Sequence, residues 1–156
     1  MTDTNGVEKI YIAAPFRAFA TDEEDRFYGV MNDSGYQAFL EKVDDKLKGW
    51  GYNTCLPHRD EGEWGQVYIL PEDIAEICFK HIESSSLVIV FPGKSRGVHV
   101  EIGYAAALRK KMIVFLRQGE TESTLLQGLG RVTEYRCLRY GSEGELFDLL
   151  EKHFAK

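Results

Sequence analysis

A chain of 156 residues, 44% hydrophobic and 28% charged, is large enough to bury a core as one domain spanning 1–156 without disulfides or metal. Its net charge of −6, with no compensating basic block, argues against nucleic acid as a partner, although a small phosphorylated ligand needs only a local basic cluster. No apolar run approaches the ~20 residues of a membrane span, and the start Met-Thr-Asp-Thr-Asn-Gly has no signal-peptide pattern; a cytoplasmic protein without membrane contacts is expected.

Residues 8–14 form a short β-prone run that Pro15 ends. Phe16 to Gly35 is polar and aperiodic, and reads as a long loop of the kind that often carries function. Asp33 or Ser34 can cap a helix running to about Lys48, with Phe39, Leu40, Val43 and Leu47 on one face and Gly49 and Gly51 closing it. Tyr52 to Leu56 is a second strand, and His58 to Tyr68 a second polar loop. Pro71-Glu72-Asp73 starts a helix to about Ser84 that buries Ile74, Ile77, Cys78 and Ile82. Leu87 to Phe91 is a third strand, and Val98 to Arg109 a helix of small residues. Met112 to Leu116, a short helix over 125–130, Tyr135 to Leu138 and an amphipathic helix from Glu143 to Phe154 complete the chain. The charges on that last helix read as a solvated face.

Strands alternating with helices predict an α/β fold, a doubly wound parallel sheet of the flavodoxin or Rossmann kind with five strands in the order 2-1-3-4-5. Ligands of such sheets sit outside the carboxyl ends of the strands, at the switch point between the first and third. The turns after Ala14 and after Phe91 both fall there.

Gly93-Lys94-Ser95 is not a Walker A loop, because the glycine that motif needs would be position 88, which is Val. No G-x-G-x-x-G follows the first strand, so a dinucleotide fingerprint is absent too. Ser95, Arg96 and Gly97 suit a mononucleotide phosphate cradle at a helix N-terminus; an ordinary strand-to-helix turn would have the same composition. Glu101 falls in what the pattern makes the first turn of the next helix. The helix is otherwise apolar, so burial against the sheet is expected, with the dipole keeping the carboxylate ionised as a nucleophile requires. Phe16 and Arg17 stand at the mouth of the first strand. A flat base held by Phe16 and Tyr11 or Trp64, with Arg17 on a phosphate or base oxygen, is chemically sensible, as is a loop phenylalanine packed into the core. His58 and Arg59 follow the second strand at the same edge. The three cysteines, Cys55, Cys78 and Cys137, have an odd count and no metal-ligand spacing, which fits reduced thiols.

On these residues the chain resembles the nucleoside 2-deoxyribosyltransferase superfamily, most closely the pyrimidine nucleoside monophosphate N-glycosidases, the CMP and hydroxymethyl-CMP hydrolases. The resemblance rests on Tyr11-Ile-Ala-Ala-Pro-Phe-Arg17, on His58-Arg59 through Trp64-Gly65, and above all on Phe91-Pro-Gly with Gly97-Val-His-Val-Glu-Ile-Gly-Tyr-Ala105; Leu126-Gln-Gly-Leu129 adds a weaker match. It implies a Rossmann-like fold and a homodimer or higher homo-oligomer. It also implies a small nucleotide substrate, no cofactor and no metal. Glu101 would attack the anomeric carbon, Ser95 would contact phosphate, and Phe16 and Arg17 would hold base and substrate. An aspartate common in the family aligns with Cys78, and another usual acid with Ser86, leaving Asp60 and Asp73 as candidates for handling the proton of the leaving base. Transfer of deoxyribose between bases, and a nucleotide-binding module without turnover, are the alternative functions.

Overall fold

Residues 7–16, 31 and 33–156 are described in the computed structural model of the protein. Among them, strands β1 (Lys9–Ala13), β2 (Asn53–Cys55), β3 (Leu87–Val90), β4 (Lys111–Arg117) and β5 (Tyr135–Tyr140) form one sheet in the order β2-β1-β3-β4-β5. Every pairing is parallel, with Tyr11 opposite Cys55 on one side and Val88 on the other. This is the expected order. β1 lies at the switch point, since the chain winds outward from it in both directions.

β-Branched residues dominate β3, Ile113, Val114 and Phe115 form the centre of β4, and both faces of these strands are covered, as a parallel sheet demands. Alternation along β1 feeds two cores. Ile10 and Ile12 pack with Leu40 and Leu47 of α1 (Ser34–Gly49) and with Leu146 and Leu150 of α6 (Glu143–Phe154). Tyr11 and Ala13 point to the opposite face, among Ile82 of α3 (Pro71–Ser84) and Val98 and Ile102 of α4 (Arg96–Ala107). Caps fix these helices in place: Asp33 accepts from Tyr36 N–H, Ser95 from Val98 N–H and Ser142 from Glu145 N–H. A shorter helix, α5 (Thr124–Gly128), precedes β5.

The polar loop expected over 58–68 contains structure. Pro57, with φ preset for a first helical position, opens a single turn, α2 (Pro57–Asp60), and the Asp60 carboxylate accepts Leu56 N–H at 2.8 Å. A 3₁₀ turn over Glu63–Gly65 follows, with φ of 44° at Glu63, 58° at Trp64 and 93° at Gly65. Two consecutive side-chain-bearing residues in the left-handed region cost about 1–2 kcal/mol each, which the surrounding contacts must offset.

Two further differences, and one expected contact, bear on function. Helix α4 begins at Arg96 rather than Val98, because Ser95 supplies the cap, so Glu101 lies in the second turn and not the first. Ile82 is the buried residue of α3; Ile74, Ile77 and Cys78 are only part-buried. Ile74 and Cys78 line open space, Cys78 also packs against the core, and Ile77 borders a separate depression. The turn after β3 is also pressed against the turn after β1, since a Cβ on Gly93, at φ 48°, would stand 3.2 Å from Pro15 Cγ. Glycine is favoured there on both counts.

Candidate active site

The site grows from the inward face of α4. Glu101 projects from its second turn over the carboxyl half of β1, where Tyr11 OH donates to Glu101 Oε1 at 2.5 Å. Tyr11 is fully buried, so its phenol is anchored by the core and sets the position of the carboxyl. The Cys78 thiol, on α3, lies against both groups. Burial pushes the Glu101 pKa up to about 7, against the opposing hydrogen bonds from Tyr11 and Cys78. A carboxylate kept ionised by the helix dipole was expected; the dipole fades beyond the first turn, and desolvation wins at the second. Burial, then the Glu101 charge, drives the Tyr11 hydroxyl well above its ordinary value. The same two causes, in the same order, push the Cys78 thiol up to about 12.

Glu101 and Cys78 face a cleft of about 400 Å³ at the carboxyl edge of the sheet, a size ordinary for a small-molecule site. Ala14, Phe16 and His58 form one wall, and Ser95 and Gly97 at the start of α4 form another. The rest is apolar: Val67 and Ile69 from the loop before α3, and Ile74 and Phe79 from α3 itself.

Several expected site residues are thus brought together, and others are not. Phe16, His58, Ser95, Gly97 and Glu101 share the cleft. Arg17 lies outside the described residues, as does most of the long loop after it. Tyr11 is sealed beneath Glu101 and has no face to offer a base. Trp64 packs against the core on the α1 side and meets the edge of His58, with ring centroids 6.4 Å apart. Arg59 points away from the cleft: its guanidinium pairs with buried Asp44 and with Asp60. Asp44 is also bonded by Lys48 and Thr54, and these partners outweigh the burial that works to raise its pKa, so the carboxyl is lowered overall. Asp60 is spent on Leu56 N–H and Arg59. Asp73 is exposed and borders a separate shallow depression with Glu76 and Lys80. Neither proton-handling candidate therefore reaches the cleft. Arg96 is exposed and forms none of its wall.

Ser95 has a structural duty as the α4 cap, accepting Val98 N–H at 3.3 Å. A Cβ on Gly97 would meet only Ser95 Oγ, at 3.8 Å, so packing within the protein leaves that position free for a side chain. The apolar wall from Val67 to Phe79 escaped sequence reasoning. Its signal was the helical spacing of Ile74 and Cys78, which periodicity assigns to core and cleft alike. Among the described residues no cluster of three or more His, Cys, Asp or Glu could hold a metal ion, and no helix is long and apolar enough to cross a membrane.

No family model and no curated protein matches the sequence. Solved structures do. The Clostridium botulinum CMP N-glycosidase BcmB superposes with a TM-score of 0.71 at 23% identity, over 94% of this chain and 99% of that one. BlsM superposes with a TM-score of 0.76 at 24% identity, over 96% and 90%. A 2-deoxyribosyltransferase from Bacillus psychrosaccharolyticus gives 0.55 at 18% identity, over 88% and 89%. The chain shares their fold across its length.

Proposed function

We propose that the protein hydrolyses the N-glycosidic bond of a pyrimidine nucleoside 5′-monophosphate (CMP, dCMP or a 5-substituted CMP), releasing free base and (deoxy)ribose 5-phosphate. The observation that carries this reading is the Glu101 carboxyl. It is held by the Tyr11 phenol at the floor of an apolar cleft whose wall includes the N-terminus of the same helix. The fold similarity to a CMP N-glycosidase supports the choice of substrate.

From the cap at Ser95 to Glu101 the helix rises by about 9 Å, a length that a nucleoside 5′-monophosphate bridges once the contact distances at its phosphate and at its anomeric carbon are added to the span between them. Ser95 N–H is bonded to the Pro92 carbonyl, so phosphate placed on the N–H groups of Arg96 and Gly97, beside the Ser95 hydroxyl, sets C1′ over the carboxylate. In the ionised enzyme a Glu101 oxygen attacks C1′, the C–N bond breaks with its electron pair going to the base, and a glycosyl ester forms. Water then attacks the same carbon, regenerates the carboxylate and delivers the sugar phosphate, as in retaining glycosidases. Tyr11 steadies the carboxyl through both steps, and Phe16 offers an aromatic surface to the base. Arg17 completes the phosphate group in this reading. No cofactor or metal is called for, since the covalent route supplies the activation. A homodimer or higher homo-oligomer accompanies the proposal; exposed Val67 and Val100 at the cleft rim are consistent with such an interface.

The test is chromatographic detection of base released from a panel of nucleosides and nucleoside monophosphates. Cytosine from CMP or dCMP, abolished by Glu101→Gln, is expected. Full activity in Glu101→Gln would remove the assigned nucleophile. A new nucleoside formed with excess acceptor base would reassign the reaction to transfer.

A further inference from the structure

His58 stands in the cleft wall with both its orientation and its hydrogen positions set by the protein. Nε2 lies 2.7 Å from the Ala14 carbonyl oxygen and 3.2 Å from that of Pro15. Carbonyl oxygens only accept, so Nε2 carries a hydrogen. Burial holds the ring below the ordinary histidine pKa, against the two carbonyl bonds, so the imidazole is neutral at pH 7. A neutral imidazole has a single N–H, which leaves Nδ1 with a bare lone pair. Edge contacts from Phe16, at 5.1 Å between ring centroids, and from Trp64, at 6.4 Å, keep the ring from turning.

Nδ1 has no hydrogen-bond partner among the described residues, yet none of their buried side-chain nitrogens or oxygens lacks one. The Nδ1 lone pair therefore keeps accessible surface, and the space that His58 borders is the cleft. The other polar side chains of the wall are committed. Ser95 caps α4, and Cys78 lies against Glu101. His58 is left as the polar group free to meet the ring of a bound base.

We infer that His58 determines base choice: its Nδ1 accepts a hydrogen bond from an exocyclic amino group, so that the cleft takes an aminopyrimidine nucleotide over its oxo counterpart. The inference rests on the proposed nucleotide site. An amino group at C4 donates to the lone pair. A carbonyl at C4 turns a second lone pair toward it and leaves two desolvated acceptors facing one another, an arrangement expected to weaken binding roughly 10- to 100-fold.

Binding to the Glu101→Gln protein, measured by titration calorimetry, tests this without turnover. The three probes are CMP, UMP and the 5′-monophosphate of 2-pyrimidinone riboside, which lacks any C4 substituent. CMP is expected to bind about 10- to 100-fold more tightly than either of the others. With His58→Ala added, the three affinities should converge to within about threefold, while circular dichroism confirms a folded protein. Equal binding of CMP and the unsubstituted analogue by the His58-containing protein overturns the inference, whether or not the His58→Ala protein folds. The hydrolase reading fails separately. Selective binding of CMP without base release by the wild-type protein would remove hydrolysis and keep the role of His58, whereas equal hydrolysis of CMP and UMP would do the reverse. Failure of all three probes to bind would end both.

Discussion

Replacing Tyr11 by Phe isolates what the phenol does for Glu101, the proposed nucleophile. Tyr11 is fully buried and its ring packs in the core, so removing one oxygen leaves the packing almost unchanged. What disappears is a hydrogen bond of 2.5 Å to Glu101 Oε1. A hydrogen bond to a charged group is worth about 1.5–3 kcal/mol, and 1.36 kcal/mol corresponds to one pH unit, so the loss amounts to about 1–2 pH units. The bond stabilises the carboxylate over the carboxylic acid. Its removal therefore raises a pKa that burial has already pushed to about 7. For base release from CMP, kcat/KM in the wild-type enzyme should rise through an acid limb near pH 7. In Tyr11→Phe that limb should move up by about 1–2 pH units, with the high-pH plateau reduced far less than the rate at neutral pH. A limb that stays in place, or moves to lower pH, would refute the coupling between phenol and carboxyl.

Glu101→Gln should stabilise the protein in a pH-dependent way. A carboxyl whose folded pKa is raised from 4.5 to about 7 leaves the fold most stable below pH 4.5 and costs it up to about 3 kcal/mol by the time pH has risen through 7. The variant escapes that loss, so its Tm should exceed the wild-type value by about 6–12 °C at pH 8 and by little at pH 4.5; a pH-independent difference would count against a buried carboxyl. Ser95→Asp separates capping from phosphate contact. Aspartate caps as well as serine, so Tm should hold within about 2 °C, while the added negative charge beside the phosphate raises KM at least about tenfold. An unchanged KM would take Ser95 out of the phosphate site. Arg59→Ala strips one partner from fully buried Asp44 and should cost about 2–4 kcal/mol in urea unfolding with KM nearly constant. A selective loss of substrate affinity would instead return Arg59 to the cleft.

The fold was legible because each of its layers has its own period. Short continuous apolar runs at Leu87–Val90 and within Lys111–Arg117, each bounded by turn residues or a helix, read as strands covered on both sides, and the count of five suggests the order 2-1-3-4-5 that the sheet adopts, although periodicity alone does not fix it. Glu101 was legible as a lone carboxylate on an apolar helix. Its electrostatic state was not, because that depends on one turn of helix register and on what surrounds it in space. Tyr11 illustrates the same gap: a tyrosine in an alternating strand reads as a base contact or as core, and only the pairing of β1 with β3 beneath α4 brings its hydroxyl to Glu101. Arg59 and Asp60 misled for a related reason. Charged residues beside a site look like ligand contacts until a buried partner such as Asp44, fifteen positions upstream of Arg59, appears within reach.

The leaving base remains the demanding half of the chemistry. Among the described residues lining the cleft, only His58, Cys78 and Glu101 titrate. His58 has its one hydrogen bonded to backbone, Glu101 must be ionised to attack, and a thiol pushed up to about 12 is a poor acid at neutral pH. In the proposed reaction, departure is then driven from the sugar side, by the carboxylate, with water or the base's own hydrogen bonds taking up the charge. Cys78→Asp tests this directly. The introduced carboxyl would lie against Glu101, and two carboxyls in contact cannot both ionise, so one proton is held between them near neutral pH. With the Tyr11 phenol favouring charge on Glu101, the introduced group keeps that proton and faces the base. If base departure limits turnover, kcat should rise by about 10- to 100-fold near pH 7, a conservative share of what general acid catalysis supplies. Cys78→Ser, a donor without useful acidity, should leave kcat near the wild-type value. A Cys78→Asp protein that binds CMP normally but shows no rise in kcat would place the limiting step elsewhere, at attack or at hydrolysis of the glycosyl ester.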